Sequence, residues 1–225
     1  MIKIYLVRHG ETDYNSQNLI QGSTNANLTK QGKLQAHKVG EALADINFDC
    51  AYSGSLNRQK DTASIILEQN NFNKPIINID NRFNEIDYGK LEGADQNETL
   101  ISALKNCYSG NLSLNDILGN MRAKQLLKLT AEIDSENGVE DDCIAYKRYK
   151  DAMEDAAKGA DDFSNILIVS SGAITTQFLE EYFLEDGKCL AHVIPNGGII
   201  CLEYDVSYNK FNFISVKWGQ NGDTW

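Results

Sequence analysis

The sequence predicts an α/β fold, a three-layer α/β/α sandwich with a mainly parallel mixed sheet and a helical cap insertion. Short apolar segments rich in β-branched residues alternate with segments of helical periodicity over the first third of the chain. This alternation resumes after a long polar middle section that has helical stripes and no strand pattern. Two adjacent strand-like segments near the C-terminus then predict a hairpin, which makes the sheet mixed.

The first strand and the first helix are predicted at the N-terminus. Residues Ile2 to Val7 are continuously apolar apart from Lys3, as expected of a strand that is covered on both faces. A polar loop begins at Arg8. A helix is predicted after Thr29, its candidate N-cap. The apolar stripe of this helix, which should face the sheet, is Ala36, Val39, Leu43 and Ile46.

The next three elements continue the alternation. Phe48 to Ser53 is predicted to be a strand, Leu56 to Gln69 a helix and Pro75 to Ile79 a third strand. Parallel strands are joined by right-handed crossovers, so the loops at their carboxyl ends should lie along one edge of the sheet. Functional residues are therefore expected at that edge.

The middle section is predicted to be a helical insertion, residues 92–163, within a single domain of residues 1–225. It is rich in Asn, Asp, Glu, Lys and Leu, and Asp134 to Asp142 has the composition of a solvated turn. Two interpretations stay open at this point. The insertion either roofs the functional site or decorates the surface with no role in chemistry.

The sheet pattern returns after the insertion. Ile166 to Ser170 is predicted to be a buried strand, followed by a helix over Ala173 to Phe183. Ile199 to Tyr204 and Phe211 to Val216 are predicted to form the closing hairpin. An exposed edge strand in this hairpin could pair with a second copy of the chain, so a homodimer is possible.

Charge and cysteine content limit the partners and the compartment. The chain has 21 Lys and Arg against 32 Asp and Glu, a net charge of −11, which opposes binding to nucleic acid or to an anionic membrane. Neither partner is expected. The cysteines are odd in number, widely spaced and without a C-x-x-C pair, so neither a disulfide framework nor a zinc site is predicted. They are Cys50, Cys107, Cys143, Cys189 and Cys201. A cytoplasmic location is expected, since the short apolar N-terminus does not resemble a signal peptide.

The segment Arg8-His9-Gly10 lies where the first buried strand ends. A neutral imidazole nitrogen can attack phosphorus, and an adjacent fixed cation disperses the negative charge of the transferred oxygens. A glycine beside them allows the backbone to approach a phosphate closely. The alternative is a histidine and an arginine that make ordinary caps and ion pairs, and this segment alone does not decide between the two.

Further segments of the sequence favour the first interpretation. The opening motif, LVRHGETDYN, covers Leu6 to Asn15 and resembles that of the histidine phosphatase superfamily, phosphoglycerate mutase-like branch. Further matching stretches are Gln21-Gly22, Leu28-Thr29 with Gly32, Tyr52 to Ala63 with Arg58, and Asn84 to Gly93 with Glu85. The resemblance covers residues 1–93 and roughly 164–204.

The resemblance implies a role for each matching residue. His9 is the implied nucleophile, which forms a phosphohistidine that water then hydrolyses. Arg8 and Arg58 would hold the phosphoryl oxygens with their planar guanidinium donors. Glu85 would be the general acid and later the base, chosen over two neighbouring acidic residues by the match alone. The residues implied in substrate binding are Asn15, Gly22, Ser171 and Gly172.

One position departs from the family pattern. Ser171 lies where the family carries a second histidine, followed by Gly172. A serine hydroxyl can still donate one hydrogen bond, and the backbone N–H groups at the start of the following helix should remain available to an anion. A serine hydroxyl cannot supply positive charge, so we expect the chain to bind phosphate but with weakened turnover. His37 is expected to be a surface residue, and whether His192 compensates stays open.

The predicted function is a metal-independent phosphatase that acts on a small phosphorylated metabolite. No nucleotide-binding or metal-binding motif is present, so no metal and no other cofactor is predicted. One alternative is a catalytically impaired phosphate-binding sensor or scaffold, which Ser171 motivates. The other is a phosphoglycerate mutase, whose paired basic residues have little counterpart here. The basic residues of the insertion are Lys105, Arg122, Lys124, Lys128, Lys147, Arg148 and Lys150, of which only Lys147-Arg148 are adjacent.

Overall fold

A computed structural model describes residues 1–107, 138–183 and 194–217. Within these ranges one sheet has the strand order β3-β2-β4-β1-β5-β6. The strands are β1 (Ile2–Arg8), β2 (Cys50–Ser53), β3 (Ile77–Ile79), β4 (Asn165–Ser170), β5 (Ile199–Asp205) and β6 (Lys210–Lys217). The pairs β3–β2, β2–β4 and β4–β1 are parallel, and β1–β5 and β5–β6 are antiparallel. The sheet is therefore mixed, as predicted.

Helices connect these strands and cover the sheet. They are α1 (Asp13–Ser16), α2 (Lys30–Ala42), α3 (Asn57–Glu68), α4 (Gln96–Cys107), α5 (Asp142–Lys158) and α6 (Gly172–Tyr182). Two short 3-10 turns, Asn81–Phe83 and Gly89–Leu91, lie between β3 and α4. Among the described residues, none of the helices has both the length and the apolar character that a membrane span requires.

The sheet separates two hydrophobic clusters. In β1, Ile4 and Leu6 are buried in one cluster with residues of α5 and α6. Val7, on the opposite face, is buried in the other cluster with residues of α2 and α3. Because successive strand side chains point to opposite faces, a strand that is apolar throughout must be covered on both sides. The predicted three-layer α/β/α sandwich is thus confirmed.

The ends of two elements differ from the prediction by a few residues. β3 begins at Ile77 rather than at Pro75, consistent with the lack of a backbone N–H in proline. β2 begins at Cys50 rather than at Phe48, whose side chain is nevertheless buried in the core. Thr29 caps α2 as predicted, since its side chain accepts a hydrogen bond from the Gly32 N–H.

Part of the predicted insertion forms one layer of the fold. Tyr149 and Met153 of α5 are fully buried and pack in the same cluster as the sheet and α6. Residues 108–137 lie outside the described part of the chain, and they include the first four residues of the turn predicted over Asp134 to Asp142. The domain limits therefore stay predictions, but α5 is more than surface decoration.

Replacing Met153 tests whether α5 belongs to the core. Met153 is 0% exposed, so Met153→Ala should lower the free energy of unfolding by about 2–5 kcal/mol through lost burial and the cavity left behind. Ile144→Ala on the same helix is the matched control, because Ile144 is 62% exposed and should cost within about 0.5 kcal/mol. Urea denaturation measures both. Equal, small losses would contradict the assignment of α5 to the core layer.

Candidate active site

The candidate site lies at the carboxyl ends of the neighbouring strands β1 and β4. Arg8 and Ser170 are partners in the parallel ladder, and the His9 N–H donates to the Ser170 carbonyl oxygen over 3.0 Å. His9 and Ser171 therefore leave the sheet side by side. The edge at which the sequence predicted functional residues is the edge where these two residues meet.

The His9 imidazole is buried and oriented at both nitrogens. It is 2% exposed, its Nδ1 lies 2.7 Å from the Gly10 carbonyl oxygen, and its Nε2 lies 3.1 Å from Arg58 Nε. A carbonyl oxygen can only accept and a guanidinium nitrogen can only donate, so Nδ1 carries the hydrogen and Nε2 the lone pair. Burial first, and then the charges of Arg58 and Arg8, lower the pKa of His9 well below its ordinary value. The ring is therefore neutral, with its nucleophilic nitrogen facing Arg58.

The Arg58 guanidinium is held by the loop before α2. The side chain is 0% exposed, its Nη1 donates to the Thr24 carbonyl oxygen over 2.9 Å and its Nη2 to that of Gly22 over 2.7 Å. Burial lowers the pKa of Arg58 to about 10, so the group is still charged at neutral pH. Three of its five N–H hydrogens are used in these contacts, and two remain for an anion.

The loop that holds Arg58 is in turn organised by Glu92. The Glu92 carboxylate accepts hydrogen bonds from the backbone and hydroxyl of Ser23 and from the Thr24 N–H. Burial raises the pKa of Glu92, but these hydrogen bonds outweigh it and lower the net value. Gly22 allows the close packing here, since a Cβ at this position would lie 2.2 Å from the Ile86 carbonyl oxygen. Glu92 thus supports the loop that holds Arg58 and is separate from the Glu85 carboxylate.

The Arg8 guanidinium makes one hydrogen bond to the part of the chain that the structure describes. Its Nη1 donates to the Ile194 carbonyl oxygen, whereas its buried Nε has no hydrogen-bond partner within the described ranges. Burial lowers the pKa of Arg8, opposed by the charge of Glu85. Gly172 makes room for this side chain, because a Cβ there would lie 2.8 Å from Arg8 Cζ. An arginine with unused donors beside a neutral histidine is suited to holding a phosphoryl group.

Glu85 caps the helix that follows Ser171. It is nearly buried, its Oε1 accepts from the N–H groups of Ile86 and Ile174, and its Oε2 accepts from that of Ala173 over 2.9 Å. The expectation that the amides at the start of α6 are available to an anion is therefore wrong for Ala173 and Ile174. These three donors fix the position of the Glu85 carboxyl group.

The backbone that carries Glu85 is held by Arg148 of α5. The Arg148 guanidinium donates to the carbonyl oxygens of Arg82, Asn84 and Glu85, and it forms a bidentate ion pair with Glu140. The Glu140 N–H donates to the Asp87 carbonyl oxygen over 2.8 Å. Sequence reasoning considered Arg148 only as a possible substrate contact. The structure instead commits its donors to the loop that positions Glu85.

Asn15 has its oxygen occupied and its amide nitrogen free. The Asn15 Oδ1 accepts from the Thr12 N–H and from Asn196 Nδ2, which also donates to the His9 carbonyl oxygen. The Nδ2 of Asn15 makes no hydrogen bond to any residue that the structure describes, and it is therefore available as a donor. Asn196 was missed by sequence reasoning, and only its position beside two functional residues identifies it.

Ser171 is buried and bonded to Gln59, a second residue that sequence reasoning missed. Gln59 Nε2 donates to Ser171 Oγ and to the Phe83 carbonyl oxygen, each over 2.9 Å, and its Oε1 accepts from the Leu56 N–H. No local pattern marks Gln59, because its role depends on packing between α3 and β4. His37 is exposed on α2, as predicted, and His192 lies outside the described residues.

Comparison with known sequences finds one matching family model and two kinds of relative. Residues 4–107 match the family model described as histidine phosphatase superfamily (branch 1). The chain is 38% identical over 117 residues to the uncharacterized phosphatase PhoE of Bacillus subtilis (strain 168), covering 52% of this chain and 59% of the relative. It is 40% identical over 92 residues to the probable phosphoglycerate mutase GpmB of Salmonella choleraesuis, covering 41% of each. The aligned part thus spans about half the length of these relatives.

Solved structures share the fold over nearly the whole chain. A phosphoglycerate mutase from Bacillus anthracis superposes with a TM-score of 0.84 at 22% identity, covering 95% of this chain and 91% of that one. The mycobacterial glucosyl-3-phosphoglycerate phosphatase, solved with VO3, superposes with a TM-score of 0.70 at 16% identity, covering 94% and 96%. These structures confirm the fold class, and the family-model match over residues 4–107 confirms the resemblance predicted from the sequence.

The lowered pKa of His9 predicts a specific dependence of stability on pH. The unfolded chain binds a proton at His9 near pH 6.5, whereas the folded chain binds it only at a lower pH. Between these values the free energy of unfolding should fall as the pH falls, by up to about 1.4 kcal/mol per unit. We expect the unsubstituted chain to lose stability relative to His9→Gln when urea denaturation is compared at about pH 7 and about pH 5.5.

His37→Gln is the control for this experiment, since His37 is an exposed histidine on α2, away from the His9 contacts. Its stability should follow that of the unsubstituted chain with pH. Parallel curves for the unsubstituted chain and His9→Gln would show that His9 protonates equally in the folded and unfolded states.

Proposed function

We propose that this chain, whose residues 4–107 match the histidine phosphatase superfamily (branch 1) model, hydrolyses a small phosphomonoester through a phosphohistidine at His9. The observation that carries the proposal is the neutral His9 ring, whose Nε2 lone pair faces Arg58, with Arg8 adjacent in sequence. A neutral nucleophile beside two guanidinium groups suits attack on a phosphoryl group, whose charge those groups would stabilise. The phosphatase-named relative supports the same assignment.

The first step transfers the phosphoryl group to His9. The Nε2 lone pair attacks phosphorus while the bond from phosphorus to the ester oxygen breaks, and that oxygen takes a proton from Glu85. Oε2 is the better position for this proton, because it accepts one hydrogen bond whereas Oε1 accepts two. The free donors of Arg8 and the two free hydrogens of Arg58 would hold the phosphoryl oxygens. This arrangement supplies positive charge from side chains and needs no metal ion.

The second step returns His9 to its neutral form. A water molecule attacks phosphorus, its proton passes to Glu85, and the bond between phosphorus and Nε2 breaks with its electron pair returning to the nitrogen. Inorganic phosphate leaves and Glu85 is protonated again, so the cycle balances. The three backbone donors around Glu85 hold its carboxyl group in place for both proton transfers.

Access of phosphorus to Nε2 requires one contact to change. Arg58 Nε donates a hydrogen bond to His9 Nε2 over 3.1 Å. This N–H must therefore turn from the imidazole to a phosphoryl oxygen as the substrate binds. The two other bonds of Arg58, to carbonyl oxygens of the loop before α2, can persist during this exchange. The guanidinium is thereby kept beside the reacting atom throughout.

The ion pairs of α5 favour a phosphatase over a mutase. Lys147 pairs with Asp151, Lys150 pairs with Glu154, and Arg148 is committed to Glu140 and to the Glu85 loop. The basic residues on α5 that the structure describes therefore already have acidic partners, and a second anionic group of a substrate would have to compete with them. The side chains of Lys105, Arg122, Lys124 and Lys128 lie outside the described part of the chain.

His9→Ala tests the phosphohistidine directly. We expect hydrolysis of p-nitrophenyl phosphate between about pH 5 and pH 7, undiminished by EDTA, to fall at least about a thousandfold in His9→Ala, because the nucleophile is gone. An acid-labile phosphoenzyme should form in the unsubstituted chain and be missing from the variant. His37→Ala is the matched control and should keep full activity.

The alternatives predict different results in the same experiment. Activity that persists in His9→Ala contradicts the phosphohistidine. Tight binding of vanadate without turnover favours a sensor or scaffold. Phosphoryl transfer between the two positions of phosphoglycerate favours a mutase.

The proposal that Ser171 weakens turnover has its own test. A histidine at position 171 would restore a donor that can carry charge, but the Gln59 amide lies 2.9 Å from Ser171 Oγ and occupies the neighbouring space. We therefore expect the double variant Gln59→Ala/Ser171→His to exceed Gln59→Ala in kcat for p-nitrophenyl phosphate by at least about tenfold. Equal kcat values in the two variants would mean that Ser171 does not limit the reaction.

A further inference from the structure

The orientation of the Gln59 amide is determined by two backbone groups. Its Oε1 must be the oxygen, because it accepts from the Leu56 N–H, and its Nε2 must be the nitrogen, because it donates to the Phe83 carbonyl oxygen. Gly54 leaves space for this arrangement, since a Cβ there would lie 2.0 Å from Gln59 Oε1. The second hydrogen of Nε2 is therefore directed to Ser171 Oγ at 2.9 Å.

Ser171 must act as the acceptor in this bond, so its own hydroxyl hydrogen is still available for a second hydrogen bond. Serine at a helix N-cap usually uses its side-chain oxygen to cap the helix, but Ser171 does not. Glu85 instead accepts from the first amides of α6. No acceptor for the Ser171 hydroxyl hydrogen exists among residues 1–107, 138–183 and 194–217.

The neighbouring Ser170 is in a different situation. Its hydroxyl donates to the Phe83 carbonyl oxygen over 2.8 Å and is therefore already used. Ser171 is 0% exposed, so its hydroxyl is shielded from bulk solvent. A buried donor without an acceptor is unfavourable, and such donors in native structures commonly have a functional explanation.

The position of Ser171 beside His9 indicates which group would accept its hydroxyl hydrogen. It follows β4 as His9 follows β1, and the two strands are hydrogen-bonded neighbours up to Arg8 and Ser170. We propose that Gln59 is a positioning residue that orients the Ser171 hydroxyl to donate to an oxygen of the phosphoryl group at His9. This inference rests on the proposed function. In place of the family's second histidine, this chain would use the Ser171 hydroxyl, oriented by the Gln59 amide.

Three variants test the inference through binding of orthovanadate, a probe for the phosphoryl-transfer site. Ser171→Ala removes the hydroxyl, and Gln59→Met removes the amide while keeping its length. Each should raise the inhibition constant of orthovanadate about tenfold, the loss of one hydrogen bond to a charged group. The double variant should lose no more than Ser171→Ala alone, because Gln59 acts only through Ser171. Gln177→Met is the matched control, since Gln177 is a fully buried glutamine whose amide bonds to Asp142 and Glu181.

Gln59→Glu keeps the shape of the side chain but replaces the donor that faces Ser171 with an acceptor. A carboxylate would accept the hydroxyl hydrogen of Ser171 and turn it away from the phosphoryl group, so the inhibition constant should rise at least as far as in Gln59→Met. If Ser171→Ala raises the inhibition constant while both Gln59 variants stay within twofold of the unsubstituted chain, the inference is overturned. Losses that add in the double variant, or an equal loss in Gln177→Met, also overturn it.

Failure of the proposed function looks different. If the unsubstituted chain neither binds orthovanadate nor hydrolyses p-nitrophenyl phosphate, both proposals fail together. If it does both and depends on His9 but not on Gln59, only the positioning role fails.

Discussion

The hydrogen bond from Arg58 Nε to His9 Nε2 is the contact on which the candidate site depends. It requires the imidazole to be neutral, with its lone pair at Nε2 and its hydrogen at Nδ1 on the Gly10 carbonyl oxygen. Burial, together with the guanidinium charges, maintains that state by lowering the pKa of His9. A solvated histidine at the same position would exchange protons with water near neutral pH. The enclosure of the ring therefore keeps the imidazole neutral, which the proposed attack on phosphorus requires.

Much of the remaining site consists of backbone groups brought close by small residues and buried ions. Gly22 and Thr24 offer carbonyl oxygens to Arg58, and Glu92 holds that loop from its other side. The Glu85 loop is held in a similar way by Arg148, with Glu140 as the counter-ion. In both cases a charged side chain from a later segment fixes a loop whose own residues have little regular structure. The loops can then present functional groups at defined positions.

Helix α5 links the middle of the chain to the Glu85 loop of the candidate site. Its buried face, which includes Tyr149 and Met153, packs in the core, while Arg148, directly before Tyr149, holds the backbone of Glu85. Movement of this helix would therefore shift the Glu85 loop. The segment that resembles the family least thus contributes to the position of its proposed acid and base, and this supports a role for the insertion beyond surface decoration.

The sequence by itself determined the α/β layers, the strand-end position of His9 and the identity of Arg8, Arg58 and Glu85 as candidates, because apolar periodicity and a contiguous motif are local properties of the chain. Only the tertiary structure decided what those groups contact. The bonds from Gln59 to Ser171 and from Arg148 to Glu85 join residues 112 and 63 positions apart. Hydrogen-bond direction and burial at such contacts depend on packing between layers, and no spacing in the sequence encodes them.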